Sequence, residues 1–197
     1  MTKANRTRNF IIEKTAAIFN TKGYSATSLS DMTAATGLTK GSIYGNFANR
    51  DEVAIAAYEY NSKALSEQID RALNAKETAK DKLMSFVAHY RTAWKDEFDR
   101  GGCPILNASV EADDNLPFLK EKVQQSISSW ALKLSQVIVE GQEHGEFKKE
   151  ASARDYAYVM ITLIEGGIML GKITNDEKHL FLALDRVVQL INNEIIR

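Results

Sequence analysis

From Asn46 to Arg100 the chain runs 55 residues without a glycine or a proline, and from Lys172 to Arg197 it has neither. These two residue types are the strongest breakers of helices, so uninterrupted spans of this length favour long helices over any other element. The two prolines are Pro104 and Pro117. The eleven glycines are gathered at 23, 37, 41 and 45; 101 and 102; 141 and 145; and 166, 167 and 171. Start signals fall where the breakers predict them. Ser28 with Asp31, Asn49 with Glu52, Thr78 with Asp81, Ser152 with Asp155 and Thr174 with Glu177 each set a capping side chain three residues ahead of an acid. No stretch alternates strictly between apolar and polar residues, and no Asn-Gly hairpin turn occurs. The expectation is an all-α fold with helices over about 5–22, 28–36, 40–47, 50–74, 78–99, 103–113, 116–144, 152–172 and 176–196.

Composition narrows the class of molecule. A 44% hydrophobic and 26% charged chain has enough apolar material for a packed core, which excludes disorder over most of its length. One cysteine cannot form an internal disulfide, and the first fifteen residues carry Lys3, Arg6, Arg8, Glu13 and Lys14 instead of an apolar signal. A cytoplasmic protein is expected. The longest apolar stretch, Tyr156 to Gly171, is interrupted by Thr162, Glu165 and Gly166-Gly167, so it reads as a buried helix and not as a membrane span. The net charge of -1 conceals an asymmetry: residues 1–50 hold seven basic and two acidic groups, a balance of +5, and the remaining 147 hold 18 and 24, a balance of -6. A basic head on an acidic body calls for a polyanionic partner of the head alone, either a nucleic acid or an acidic protein. The corresponding division is a head over residues 1–50 and a helical body over 51–197.

Within the head, Ser28 to Phe47 has the pattern of a helix-turn-helix. Leu29 and Met32 supply one apolar face, Gly37 can take the positive φ that ends a helix, Leu38 plugs the turn, and Thr39 caps the next helix. At about 100° per residue, Ile43 and Phe47 share an inward face, which turns Gly41 and Gly45 outward with Ser42, Tyr44 and Asn46 on the flanks. Two exposed glycines in so short a helix each cost about 0.8–1 kcal/mol relative to alanine. Either the helix is simply an exposed one weakened by chance, or its backbone closely approaches another surface, a DNA major groove being the natural one, with Lys40 and Arg50 placed to hold phosphates.

The run Arg8, Ala16, Phe19, Gly23-Tyr24, Thr27-Ser28, Gly37-Leu38-Thr39-Lys40-Gly41-Ser42-Ile43-Tyr44, Phe47 and Asn49-Arg50 resembles the DNA-binding domain of tetracycline-repressor (TetR) family transcription regulators over about the first 55 residues. The resemblance implies an all-helical homodimer with an N-terminal reading head and a C-terminal domain that dimerises and binds a small effector, typically one that releases the repressor from a pseudo-palindromic operator. By position it assigns DNA contacts to Thr39, Lys40, Gly41, Tyr44, Asn46 and Arg50, with Ser28 at a further backbone contact; Ser42, on the flank of the same helix, is taken as a DNA-binding residue with them. Many members carry an aromatic or basic side chain where this chain has Gly45.

Beyond residue 55 periodicity carries the reading. Phe86, Tyr90, Trp94 and Phe98 recur at i, i+4, a stripe that either lines an effector pocket or packs a core; Tyr90 and Trp94 are the better pocket candidates, with Trp130 facing them. The eighth helix is apolar on nearly every side and the ninth repeats the theme, so a dimer seam is expected over Leu163, Met169, Leu184, Val187, Val188 and Ile191. Glu165 is read as an effector partner or a hydrogen-bonded carboxylate at that seam, and Gly166 and Gly167 as points of close helix approach. His89, His144 and His179 lie far apart, and there is no phosphate loop or nucleophile elbow, so no enzyme activity, metal or cofactor is expected. Gly101-Gly102-Cys103-Pro104 looks like a Gly-Cys-Pro element of a TetR subgroup in which some members sense electrophiles or oxidants through a cysteine of this region. Lys172 sits where those members carry a similar lysine. The other reading of Cys103 is a small buried residue that fits the turn.

Overall fold

The helices begin where the caps are. The computed structural model describes residues 2–197, and within them the order is α1 (Lys3–Lys22), α2 (Leu29–Thr36), α3 (Lys40–Tyr44), α4 (Arg50–Asn74), α5 (Ala79–Asp99), α6 (Pro104–Asp114), α7 (Pro117–Glu143), α8 (Ala153–Thr174) and α9 (Lys178–Gln189). Ser28 and Asp31 close a reciprocal capping box. Asn49 Oδ1, Thr78 Oγ1 and Ser152 Oγ accept from the N–H groups of Glu52, Asp81 and Asp155. The fifth start signal fails: Thr174 is the last residue of α8 and its hydroxyl donates to the Leu170 carbonyl, while Asp176 Oδ1 accepts from Lys178 N at the start of α9. The ninth helix also ends differently from its sequence reading. Its last turns widen into a π-helix over Leu190–Ile195, with Lys148 Nζ donating to the Asn193 and Glu194 carbonyls and Phe147 pairing with Ile196 in an isolated antiparallel bridge.

The helices gather into two compact units. The first runs to Leu65 and takes in Arg100–Ser126, so α6 and the start of α7 pack with the head, and this unit does not stop at residue 50. Its core is Ile11, Phe19, Tyr24, Met32, Ile43, Val53 and Tyr58, all essentially inaccessible. Tyr24 stacks on Phe19 at 5.7 Å and meets Tyr58 edge-on at 6.1 Å. Burial raises both phenols, Tyr58 to about 12 and Tyr24 well above its ordinary range.

The second unit, Ser66–Asp99 with Ile127–Arg197, is built on an α8–α9 hairpin against α5. Gly167 permits it: a Cβ there would lie 2.9 Å from Leu180 Cα and Ala183 Cβ. Gly141 does the same for the ring of Phe147, 2.3 Å from its hypothetical Cβ. α8 is long and apolar enough to cross a membrane by length and composition, and 22 residues long where the legible apolar stretch was shorter. Its Met160, Ile164, Gly167, Ile168 and Gly171 are buried on one side.

Candidate nucleic-acid interface

Gly37 ends α2 in the left-handed conformation at φ 68°, and Thr39 caps α3 by accepting from Ser42 N. α3 is five residues long, shorter than the eight expected, because the backbone turns at Gly45 and Asn46 once Gly45 N–H has bonded the Gly41 carbonyl. The inward face is the predicted one, with Ile43 and Phe47 buried. Thr39, Lys40, Gly41 and Gly45 are exposed, and Ser42, Tyr44 and Asn46 are half-buried. Lys40 makes no ion pair among the described residues.

The two outward glycines differ in the room the chain leaves them. A Cβ on Gly41 would meet only Thr39 Oγ1, at 3.9 Å, whereas on Gly45, at an ordinary right-handed φ of -76°, it would lie 3.1 Å from the Gly41 carbonyl oxygen, a tight contact within its own turn.

The rest of the head holds this surface in place. Arg8 donates from Nη1 to the Asn46 carbonyl at 3.1 Å, pairs through Nη2 with Glu52 at 3.1 Å, and lays its guanidinium 4.0 Å from the centre of the Phe47 ring. Asn46 Nδ2 donates to the Ser42 carbonyl at 2.9 Å, which bends the chain out of α3. Asp31 accepts from Lys22 at 2.6 Å and from the backbone and hydroxyl of Ser28, and the lysine foremost holds its carboxyl well below the usual carboxylate range. Asp31 is thus paired with Lys22, and Glu52 with Arg8.

Arg50 departs from its expected role. Its Nε donates to the Thr27 carbonyl at 2.7 Å, its Nη2 to the carbonyls of Tyr24 and Ser25, and its Nη1 to Asp51. Four of its five donors are thus engaged within the protein, so it is a brace for the turn between α1 and α2 before it is a phosphate ligand. Ser28, exposed at the start of α2, keeps its place as a backbone-contact candidate.

The residues expected around an effector are dispersed. Successive i+4 steps advance about 40° around a helix, so a four-residue stripe does not stay on one face. Phe86 and Tyr90 are buried and meet edge-on at 5.3 Å. Trp94 is half-buried and packs instead on Phe98 at 5.5 Å and on Phe181 of α9 at 6.3 Å. Trp130 is buried, and its Nε1 finds no hydrogen-bond acceptor among the described residues. Cys103 is the buried N-cap of α6 in the first unit, and Lys172 is exposed in the last turn of α8 in the second.

The expected seam is corrected in part. Leu184, Val187 and Ile191 are fully buried within their own unit, because α9 turns its single apolar stripe toward the interior of that unit. Leu163 and Val188 are half-buried and Met169 is 52% exposed. Opposite its buried face, α8 presents Val159, Leu163, Gly166, Leu170 and Ile173, the last 80% exposed. Gly167 faces α9, whereas a Cβ on Gly166 would meet nothing within 4 Å, so only Gly166 remains available for an approach from outside.

An all-helical chain with a capped helix-turn-helix, an exposed glycine-bearing second helix and a separate helical body defines a DNA-binding transcription regulator of the helix-turn-helix class. Comparison with known proteins places it within that class. Residues 11–57 match the model of the bacterial regulatory proteins of the tetR family, and residues 79–187 the tetracyclin repressor-like C-terminal domain. A TetR-family regulator from Cytophaga hutchinsonii superposes with a TM-score of 0.94 at 38% identity, covering 100% of this chain and 98% of that one. A TetR regulator from Chloroflexus aurantiacus J-10-FL does so with a TM-score of 0.91 at 32% identity, covering 100% and 99%. The transcriptional repressor DhaR of Mycobacterium sp. (strain GP1) is 26% identical over 194 residues, 95% of this chain and 96% of that protein. The chain belongs to the TetR family, whose regulators bind DNA operators.

Proposed function

We propose that the protein is a cytoplasmic homodimeric repressor that reads a pseudo-palindromic operator with two copies of α3 about one DNA turn apart, roughly 34 Å. Reading belongs to residues 1–50, and dimerisation and effector binding to residues 51–197. The observation that carries the reading is the exposed Gly41 on α3, where a side chain would meet only Thr39 Oγ1 at 3.9 Å, with a second exposed glycine, Gly45, one turn further on. Around them Thr39, Lys40, Ser42, Tyr44 and Asn46 form the contact surface, Ser28 adds a backbone contact, and Arg50 has one N–H left for a phosphate. The repressor assignment is supported by the likeness to DhaR. The outward apolar face of α8 supports the dimer, since a surface helix of a monomer does not carry such a stripe.

A small effector held in the helical body shifts the dimer toward a spacing of heads that does not fit DNA, and DNA opposes the effector by the same coupling energy. Phe86, Tyr90 and Trp130 are the contacts best placed to receive it, and the open Trp130 N–H calls for a hydrogen-bond acceptor on the ligand. The protein has no enzymatic role in this reading.

Selection of duplexes from a random pool by the purified protein tests the proposal. A pseudo-palindromic sequence is expected to emerge, and Gly45→Leu is expected to lose it while remaining folded. Full affinity of Gly45→Leu for the selected duplex would show that α3 does not enter the groove.

A further inference from the structure

The turn that joins α1 to α2 is gripped from both sides by charged groups. On its carbonyl side, Tyr24, Ser25 and Thr27 accept from Arg50. On its amide side, Glu111 of α6 places Oε1 2.7 Å from Tyr24 N and Oε2 2.7 Å from Ser25 N. Gly23 makes room for this carboxylate: it ends α1 at φ +101°, and a Cβ there would lie 3.0 Å from Glu111 Oε1. One helical turn earlier on the same face of α6, Asn107 Nδ2 donates to the carbonyl and side-chain oxygens of Asn20 and to the Gly101 carbonyl. Asn20 in turn donates to the carbonyls of Arg100 and Gly102. The end of α1 is thus docked on α6 through an amide and a carboxylate one turn apart.

We infer that Glu111 is a positioning residue for the DNA-reading head, acting through the Gly23–Thr27 turn that leads into the Ser28 cap of α2. The inference rests on the DNA-reading role proposed above. Charged hydrogen bonds to two consecutive N–H groups are strong and fall away steeply with misalignment, so they fix the turn to within a few tenths of an ångström. Residue 111 lies outside the matched helix-turn-helix segment, residues 11–57.

Glu111→Gln keeps the shape but replaces one acceptor by a donor facing an N–H, so one bond disappears and one approach becomes repulsive. Its affinity for the duplex selected by the wild type is expected to fall about tenfold, the loss of one charged hydrogen bond at a steering position. Affinity for an unrelated duplex of the same length is expected to stay constant, because Glu111 bonds the turn and no phosphate. In amide-resolved NMR of the DNA-free protein, the Tyr24 and Ser25 protons are expected to move upfield in the variant, with Asp113→Asn on the same helix as a silent control. Glu111→Asp, which keeps the charge on a shorter arm, is expected to fall between the two in both readouts. Affinity rising equally for both duplexes would mean that the carboxylate only repels DNA and would overturn the inference, as would unchanged specific binding alongside moved amides. Failure of the wild type to select any duplex would strike the DNA-reading role instead, and the amide shifts would still report whether the clamp exists.

Discussion

Replacing Gly41 by alanine is expected to make the protein more stable and a poorer binder of DNA at once. Gly41 is the second residue of α3, exposed, in a helical conformation, and a methyl group there would touch only Thr39 Oγ1 at 3.9 Å. The substitution introduces no clash and removes unfolded-chain freedom, which together with the better helix propensity stabilises by about 0.5–1 kcal/mol. For a chain of this size that raises Tm by about 1–4 °C. In the proposed reading, the same methyl group stands where the backbone of α3 faces the groove. Crowding at a closely packed surface costs about 1–3 kcal/mol, a weakening of roughly five- to a hundredfold in Kd. Thermal and urea melts give the first quantity, and fluorescence anisotropy on the selected duplex gives the second. Loss of stability in Gly41→Ala would show that the glycine has an internal role. Wild-type affinity in both Gly41→Ala and Gly41→Leu would show that this face does not approach DNA.

Lys40→Ala is expected to weaken binding to selected and unrelated duplexes alike and to reduce the slope of log K against log salt by about one for each phosphate no longer neutralised; an unchanged slope would show that Lys40 does not touch the phosphates. Leu163→Glu or Ile173→Glu is expected to convert the dimer to monomers in sedimentation, because each places a charge on the outward face of α8. Leu184→Ala is expected to destabilise the fold by about 2–5 kcal/mol without acting directly on association, since Leu184 is buried inside its unit. Asp31 has its carboxyl lowered first by Lys22 and then by Ser28, so its contribution to stability is complete above its unfolded pKa of about 4 and is lost as the pH falls through the lower folded value. Urea midpoints measured from pH 6 downward should therefore fall less steeply for Asp31→Asn than for the wild type, and equal slopes would show that the capping carboxylate is not ionised in the folded chain as described.

The helices, the helix-turn-helix and the inward pair Ile43 and Phe47 were legible in the sequence because breakers, caps and periodicity act over a few residues. Four of the five capping pairs hold, and the one that fails, Thr174 with Glu177, sits where Asp176 offers a competing oxygen two residues from the same helix start. What lay out of reach was which neighbour each face meets. Periodicity placed Leu184, Val187 and Ile191 on one stripe, but the same stripe serves a protomer interior or a seam equally well, and only the packing of α9 chose the interior. It placed Gly166 and Gly167 side by side, and a difference of about 100° around α8 turned one to Leu180 and the other to open space. Long charged side chains were the least legible of all. An arginine at position 50 reaches solvent or folds back by rotating about its own bonds, and it folds back because three turn carbonyls from residues 24, 25 and 27 lie within its span. Glu111 is separated from the amides it holds by more than 80 residues of chain, so no local pattern announces it; the tertiary structure alone brings a carboxylate on α6 to these two N–H groups.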